Sequence, residues 1–142
     1  MINNIHALAL DVGLARIGLA TNPEGVRIAQ PNGYIENSEQ IESVLAEKIE
    51  KENITDVVVG LPRGLQGQDT AQTKCVHDFV AKLKETVSIP IHLQDEALTS
   101  VKAEEELKAR GNSFEKGDID ALAATYILQD FLDTLPEELH DV

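Results

Sequence analysis

Cysteine is nearly missing from this chain, and the lone Cys75 excludes an internal disulfide and any zinc site built from several thiolates. Long apolar runs are missing as well. No stretch approaches the length that spans a bilayer, so no membrane anchor is expected. The opening residues Met1-Ile2-Asn3-Asn4-Ile5-His6 lack the basic start, apolar segment and small-residue cleavage site of a secretory signal. A cytoplasmic location is the expectation. Basic residues are scarce, with 12 Lys and Arg against 25 Asp and Glu and a formal charge of −13. Proteins that bind nucleic acid usually present a basic face that releases counterions from phosphates, so this balance argues against tight global binding. Much of the acid, however, falls on helix faces and at the C-terminal end, where it is solvated surface. Carboxylates that hold divalent cations also present a locally inverted field to phosphate.

What is present is enough chain, 142 residues with 42% hydrophobic, for a single domain over 1–142 with a flexible acidic tail over about 134–142. The stretch Ala7-Leu8-Ala9-Leu10-Asp11-Val12-Gly13-Leu14-Ala15-Arg16-Ile17-Gly18-Leu19-Ala20 reads as two short strands joined by a tight turn. Val26 to Gln30 alternates apolar and polar residues as a third strand would, with Pro31-Asn32-Gly33 interrupting it before Tyr34-Ile35. Ser38 reads as the N-cap of an amphipathic helix carrying Ile41, Val44, Leu45 and Ile49. Thr55 to Pro62 is a continuous β-branched run of the kind buried on both faces in a parallel sheet. The pattern therefore changes from meander to βαβ, and predicts a mixed five-stranded α/β sheet flanked by helices. Asp69 or Thr70 caps a helix with Val76, Phe79, Val80 and Leu83 inward. Ser88 to Leu93 is a short strand, Val101 to Arg110 a helix stopped by Gly111-Asn112, and Asp118 onward a strongly apolar helix.

Three acids stand where acids are unexpected. Asp11 ends an apolar strand, where it either caps the turn or needs a cation or donors. Glu96 follows a parallel strand, whose carboxyl end is the ligand side of an open α/β sheet; Asp95, one residue earlier, points the other way. The alternative for Glu96 is an acid favouring the dipole of the next helix. Asp118 and Asp120 open the last helix. Capping explains Asp118 well and Asp120, beside the apolar face, less naturally. Three carboxylates on one sheet edge repel one another unless a divalent cation joins them, and an oxygen-only donor set suits Mg²⁺ or Mn²⁺. Such sites serve phosphoryl chemistry. Arg63, in the glycine-containing loop after the buried strand, is either a substrate contact or a surface arginine on a plain connection.

Four ordered motifs carry a resemblance. They are Leu10-Asp11-Val12-Gly13 with Arg16-Ile17-Gly18, Val58-Val59-Gly60-Leu61-Pro62, Asp95-Glu96-Ala97-Leu98-Thr99-Ser100 with Ala103-Glu104 and Leu107, and Ile119-Asp120 with Ala123-Ala124 and Ile127-Leu128. Together they resemble the YqgF/RuvX family, a ribonuclease H-like fold associated with Holliday junction resolution and with processing of the precursor of small-subunit ribosomal RNA. The resemblance implies Asp11, Glu96 and Asp120 as metal-binding, catalytic acids. It implies a phosphodiester of structured nucleic acid as substrate and an association with the ribosome; Arg16, Thr99 and Lys116, with the loop residue Arg63, are the expected substrate contacts.

The chain departs from the family pattern at Ala15, at Ala97 and Thr99-Ser100, and at Ser113-Phe114-Glu115-Lys116, mostly by losing positive charge. The acids are intact and the grip on phosphate is thinned. A non-catalytic ribonuclease H-like module that binds RNA or protein is the second class this pattern admits. A nucleotide-binding domain of the actin and sugar-kinase type is the third, although such proteins clamp nucleotide between two domains. A monomer suits RNA trimming, and a homodimer suits a two-fold symmetric junction.

Overall fold

The computed structural model describes residues 4–96, 99–111 and 114–136, without the side chains of residues 99–101. Five strands and four helices follow in the order β1 (Ala7–Val12), β2 (Arg16–Thr21), β3 (Gln30–Glu36), α1 (Ile41–Lys51), β4 (Asp56–Pro62), α2 (Ala71–Thr86), β5 (Ile91–Glu96), α3 (Thr99–Ala109) and α4 (Lys116–Thr134). The strands form one sheet in the order β3-β2-β1-β4-β5. The first three are antiparallel neighbours, whereas β4 runs parallel to both β1 and β5. The change from meander to parallel strands occurs where the pattern turns from alternation to a β-branched run. None of the described helices is long and apolar enough to cross a membrane.

Alternation along each strand divides the core between the two faces. Leu8, Leu10, Ile17, Leu19, Val57 and Val59 point to one side and pack with Leu45 of α1 and Val76 and Leu83 of α2. Ala7, Ala9, Ala20 and Val58 point to the other, against Ala124, Ile127, Leu128 and Phe131 of α4. The second face is made of small residues, so α4 lies close to the sheet and crosses it. Its Asp120 sits over Gly18 of β2 and its Ile127 over Gly60 of β4. Its Phe131 meets the His92 ring of β5 with centroids 4.8 Å apart.

The third strand differs from the alternation read in the sequence. It runs Gln30–Glu36 and contains Pro31 and Gly33, with a register shift opposite Gly18 to Ala20. Residues 26–29 are irregular because a side chain takes the place of a strand. Gln129 of α4 accepts from the Ala29 N–H at 2.9 Å and donates to the Arg27 carbonyl at 3.0 Å. Helix α1 likewise begins after Gln40 rather than Ser38, whose carbonyl accepts the Ile41 N–H at 3.2 Å. At the C-terminal end, Leu135 packs on the α4 core. Residues 137–142 lie outside the described residues.

Candidate active site

In the β1–β2 hairpin Asp11 stands opposite Gly18. The turn is closed by Gly13 N–H donating to the Arg16 carbonyl at 2.9 Å, and Asn37 Nδ2 donates to the Gly13 carbonyl at 2.8 Å. These backbone and amide bonds hold the turn without the Asp11 carboxylate, which is left for another purpose.

Gly18 also sets the position of the second acid. A Cβ at this residue would overlap the Asp120 backbone, so only glycine lets the first turns of α4 rest on β2. That contact sets Asp120 beside Asp11. Burial first, and the Asp120 charge second, push the Asp11 carboxyl up from the ordinary 3.8 to about 6. Asp120 Oδ2 accepts from Arg16 Nε at 2.6 Å, a pair that is only partly exposed. Asp118 is used differently, its Oδ2 accepting the Glu115 N–H at 2.9 Å to cap α4.

Glu96 stands on the same face as Asp11, because β5 places Glu96 level with Pro62 and Asp95 level with Leu61. It lies two strands away and about two residues further along, roughly 12 Å between Cα atoms on ordinary strand spacings. Its carboxyl faces Asp130, one turn before the end of α4. Burial, then the hydrogen bond and charge of Asp130, push the Glu96 carboxyl up, against the pull of Lys102. Of the three expected acids, Asp11 and Asp120 are brought together and Glu96 is turned to a fourth. Among the described residues no three His, Cys, Asp or Glu side chains converge closely enough to hold an ion as they stand.

The donor set nevertheless has the chemistry of a hard cation site. Among the described residues two carboxylates meet with neither thiolate nor imidazole beside them, and burial of one of them favours a cation or a proton next to it.

The basic residues divide. Arg16 and Lys116 line a hollow of about 380 Å³ together with Asp120. Arg63 is instead engaged with Asp69 and, at 3.3 Å, with Asp95, the acid that points away from Glu96. It ties the loop after β4 to the start of α2 and the end of β5. Thr99 begins α3, and its side chain lies outside the described residues, as does Ala97.

Residues 5–134 match the family described as "RuvX: Holliday junction resolvase". The chain belongs to the RuvX family. Relatives named "Putative pre-16S rRNA nuclease" include one from Maridesulfovibrio salexigens, 40% identical over 90% of this chain and 98% of its own. Another, from Synechocystis sp., is 36% identical over 99% of this chain and 95% of its own. Among solved structures, Thermus thermophilus RuvC in complex with a Holliday junction superposes with a TM-score of 0.56 at 16% identity, covering 91% of this chain and 94% of that one. The fowlpox virus Holliday junction resolvase gives 0.53 at 14% identity, covering 92% and 100%. These likenesses establish the ribonuclease H-like fold of this RuvX chain.

Two residues of the site escaped the sequence reading. Gly18 carried a signal, since a glycine in the middle of an apolar strand marks a close backbone approach. Asp130 carried none. Its meeting with Glu96 depends on α4 crossing the whole sheet.

Proposed function

We propose that this RuvX chain is a metal-dependent endonuclease that trims the ends of pre-16S ribosomal RNA. The observation that carries the reading is the meeting of Asp11 and Asp120 at the carboxyl edge of the parallel strands, one of them desolvated. The names of its relatives supply the RNA substrate, and the family's description supplies the four-way junction as the competing one.

Asp11 and Asp120 would hold Mg²⁺ or Mn²⁺, with Glu96 as the third carboxylate on the same face. The chemistry such an ion supplies is to lower the pKa of a water and to neutralise charge on a phosphodiester. The chain's own residues do the rest. Arg16 orients Asp120 through its 2.6 Å bond and stands beside Lys116 where a phosphate would enter. Gly18 keeps both acids in one place. A reorientation of Glu96 away from Asp130 would complete the carboxylate set.

A binding module without chemistry is the second reading. It is favoured by the engagement of Arg16 and Arg63 with acids of the chain itself. Cleavage of labelled pre-16S rRNA ends and of a four-way DNA junction, with Mn²⁺ or Mg²⁺ at low salt, separates the readings. Cutting that requires the ion and disappears in Asp11→Asn is expected, with RNA preferred. Absence of cutting on either substrate, with metal binding retained, makes the chain a binding module.

A further inference from the structure

Beside the acids the surface continues into a second hollow that the proposed chemistry does not use. It encloses about 540 Å³, within the roughly 300–1,000 Å³ of small-molecule sites, between β3, the end of α3 and the first turns of α4. Tyr34 forms one wall and Phe114 another. Tyr34 is 47% exposed, yet it is held in place. It pairs with Gly18 across β2 and β3, and its ring lies on Gly117, where any side chain would displace it. Phe114 also lines the smaller hollow that contains Arg16, Lys116 and Asp120. One aromatic ring therefore joins the two hollows.

The charged side chains among the described residues that line the larger hollow are Arg110 and Asp118. Arg110 is paired with Glu106 at 2.8 Å, and Asp118 caps α4 with one carboxylate oxygen. A carboxylate disfavours a phosphate in this space, while its lone pairs suit the exocyclic amine of a base. Two aromatic faces suit the flat faces of the same base, whatever its identity.

We infer that this hollow receives an unpaired nucleobase next to the phosphate being cut, with Tyr34 and Phe114 as stacking faces and Asp118 as hydrogen-bond acceptor. The inference rests on the nuclease reading of Asp11 and Asp120. It names the substrate class as a strand with at least one unpaired nucleotide at the cut, in RNA or DNA. A base held in a duplex cannot enter, because both of its faces are already stacked.

The chain has no tryptophan, so Tyr34→Trp introduces a single indole at the wall of the hollow. In an Asp11→Asn background, this variant is titrated with single-stranded RNA, single-stranded DNA and a blunt duplex of the same sequence. Both single strands are expected to quench the indole and the duplex to leave it unchanged. Adding Phe114→Ala, with folding checked by circular dichroism, is expected to weaken single-strand binding about tenfold and duplex binding much less. If Tyr34→Trp does not fold, Phe114→Trp reports from the other aromatic position in the lining.

Equal quenching by strand and duplex, or no quenching while a labelled strand still binds, overturns the inference. Metal-dependent cleavage by the unaltered chain is measured in parallel. Cleavage without an indole response removes the base site and leaves the nuclease reading. An indole response without cleavage removes the nuclease reading and leaves the base site.

Discussion

Asp11 illustrates how a functional group opposes stability. Its carboxyl is raised in the folded chain, so the folded state holds this proton more tightly than the unfolded one. For the metal-free protein its contribution is therefore most favourable below pH 3.8 and is lost as pH rises through about 6. The rise corresponds to on the order of 3 kcal/mol at neutral pH, as an upper figure. Asp11→Asn should accordingly raise the melting temperature in EDTA at pH 7, flatten its fall between pH 4 and 7, and abolish cleavage. A variant no steadier than the parent in EDTA would show that burial of Asp11 costs nothing. Gly18 works in the opposite sense. Gly18→Ala forces α4 off β2 at Asp120, so a loss of about 1–3 kcal/mol is expected in urea denaturation. Cleavage should fall on the order of 100-fold with both acids present, since a displacement near 1 Å is enough for that.

Among the elements, α4 organises the active face and Asn22 secures the sheet beneath it. Asn22 is 1% exposed and follows β2 directly. Its Oδ1 accepts the Ala7 N–H at 2.8 Å, and its Nδ2 donates to the carbonyls of Ile5, Pro23 and Val26, each at 3.0 Å. Asn22→Ala removes the partner of the Ala7 N–H and of the Val26 carbonyl, whereas the carbonyls of Ile5 and Pro23 keep the N–H groups of Gly25 and Val26, so a cost of about 2 kcal/mol is expected. Thermal unfolding of Asn22→Ala beside Asn22→Asp checks this, because the introduced carboxylate would keep the acceptor for Ala7 and lose the donors. Gln129 does for residues 27–29 what Asn22 does for residues 5–26, standing in for a missing strand from the middle of a helix. Its removal by Gln129→Leu should free that segment to exchange amide hydrogens faster, most of all at Ala29, with little change at the acids.

For the whole molecule the excess of acid is the governing quantity. Few cations stand near the acids to meet phosphate: Lys116 and Arg16 line the hollow, Arg16 already bonded to Asp120, while Arg63 is engaged with Asp69 and Asp95. Two or three phosphate contacts on a single strand predict a slope of about −1.4 to −2 for the logarithm of affinity against that of salt. Anisotropy titrations from low to moderate salt measure it. A slope steeper than about −4 would require a basic surface that this charge balance does not provide. The shallow slope also makes base stacking between Tyr34 and Phe114 a larger share of affinity than in a basic nuclease.

Local patterning decided much by itself. The hairpin with Asp11, the parallel β4, the Thr70 cap and the opposite facing of Asp95 and Glu96 follow from strand alternation, turn chemistry and capping, which act over a few residues. So do the buried positions of α2. The lone cysteine excludes a multi-thiolate site, and carboxylates at unexpected positions point to a hard cation, both from local pattern alone. Other features needed residues far apart in the chain to meet. Asp120 reaches Asp11 only because Gly18 admits the helix, and Glu96 meets Asp130 only because α4 crosses every strand from β2 to β5. The start of β3 at Gln30 depends on an amide from Gln129, and the hollow between Tyr34 and Phe114 on the packing of β3, α3 and α4. Short-range chemistry chose which residues could serve, and close packing across the sheet chose which of them stand together.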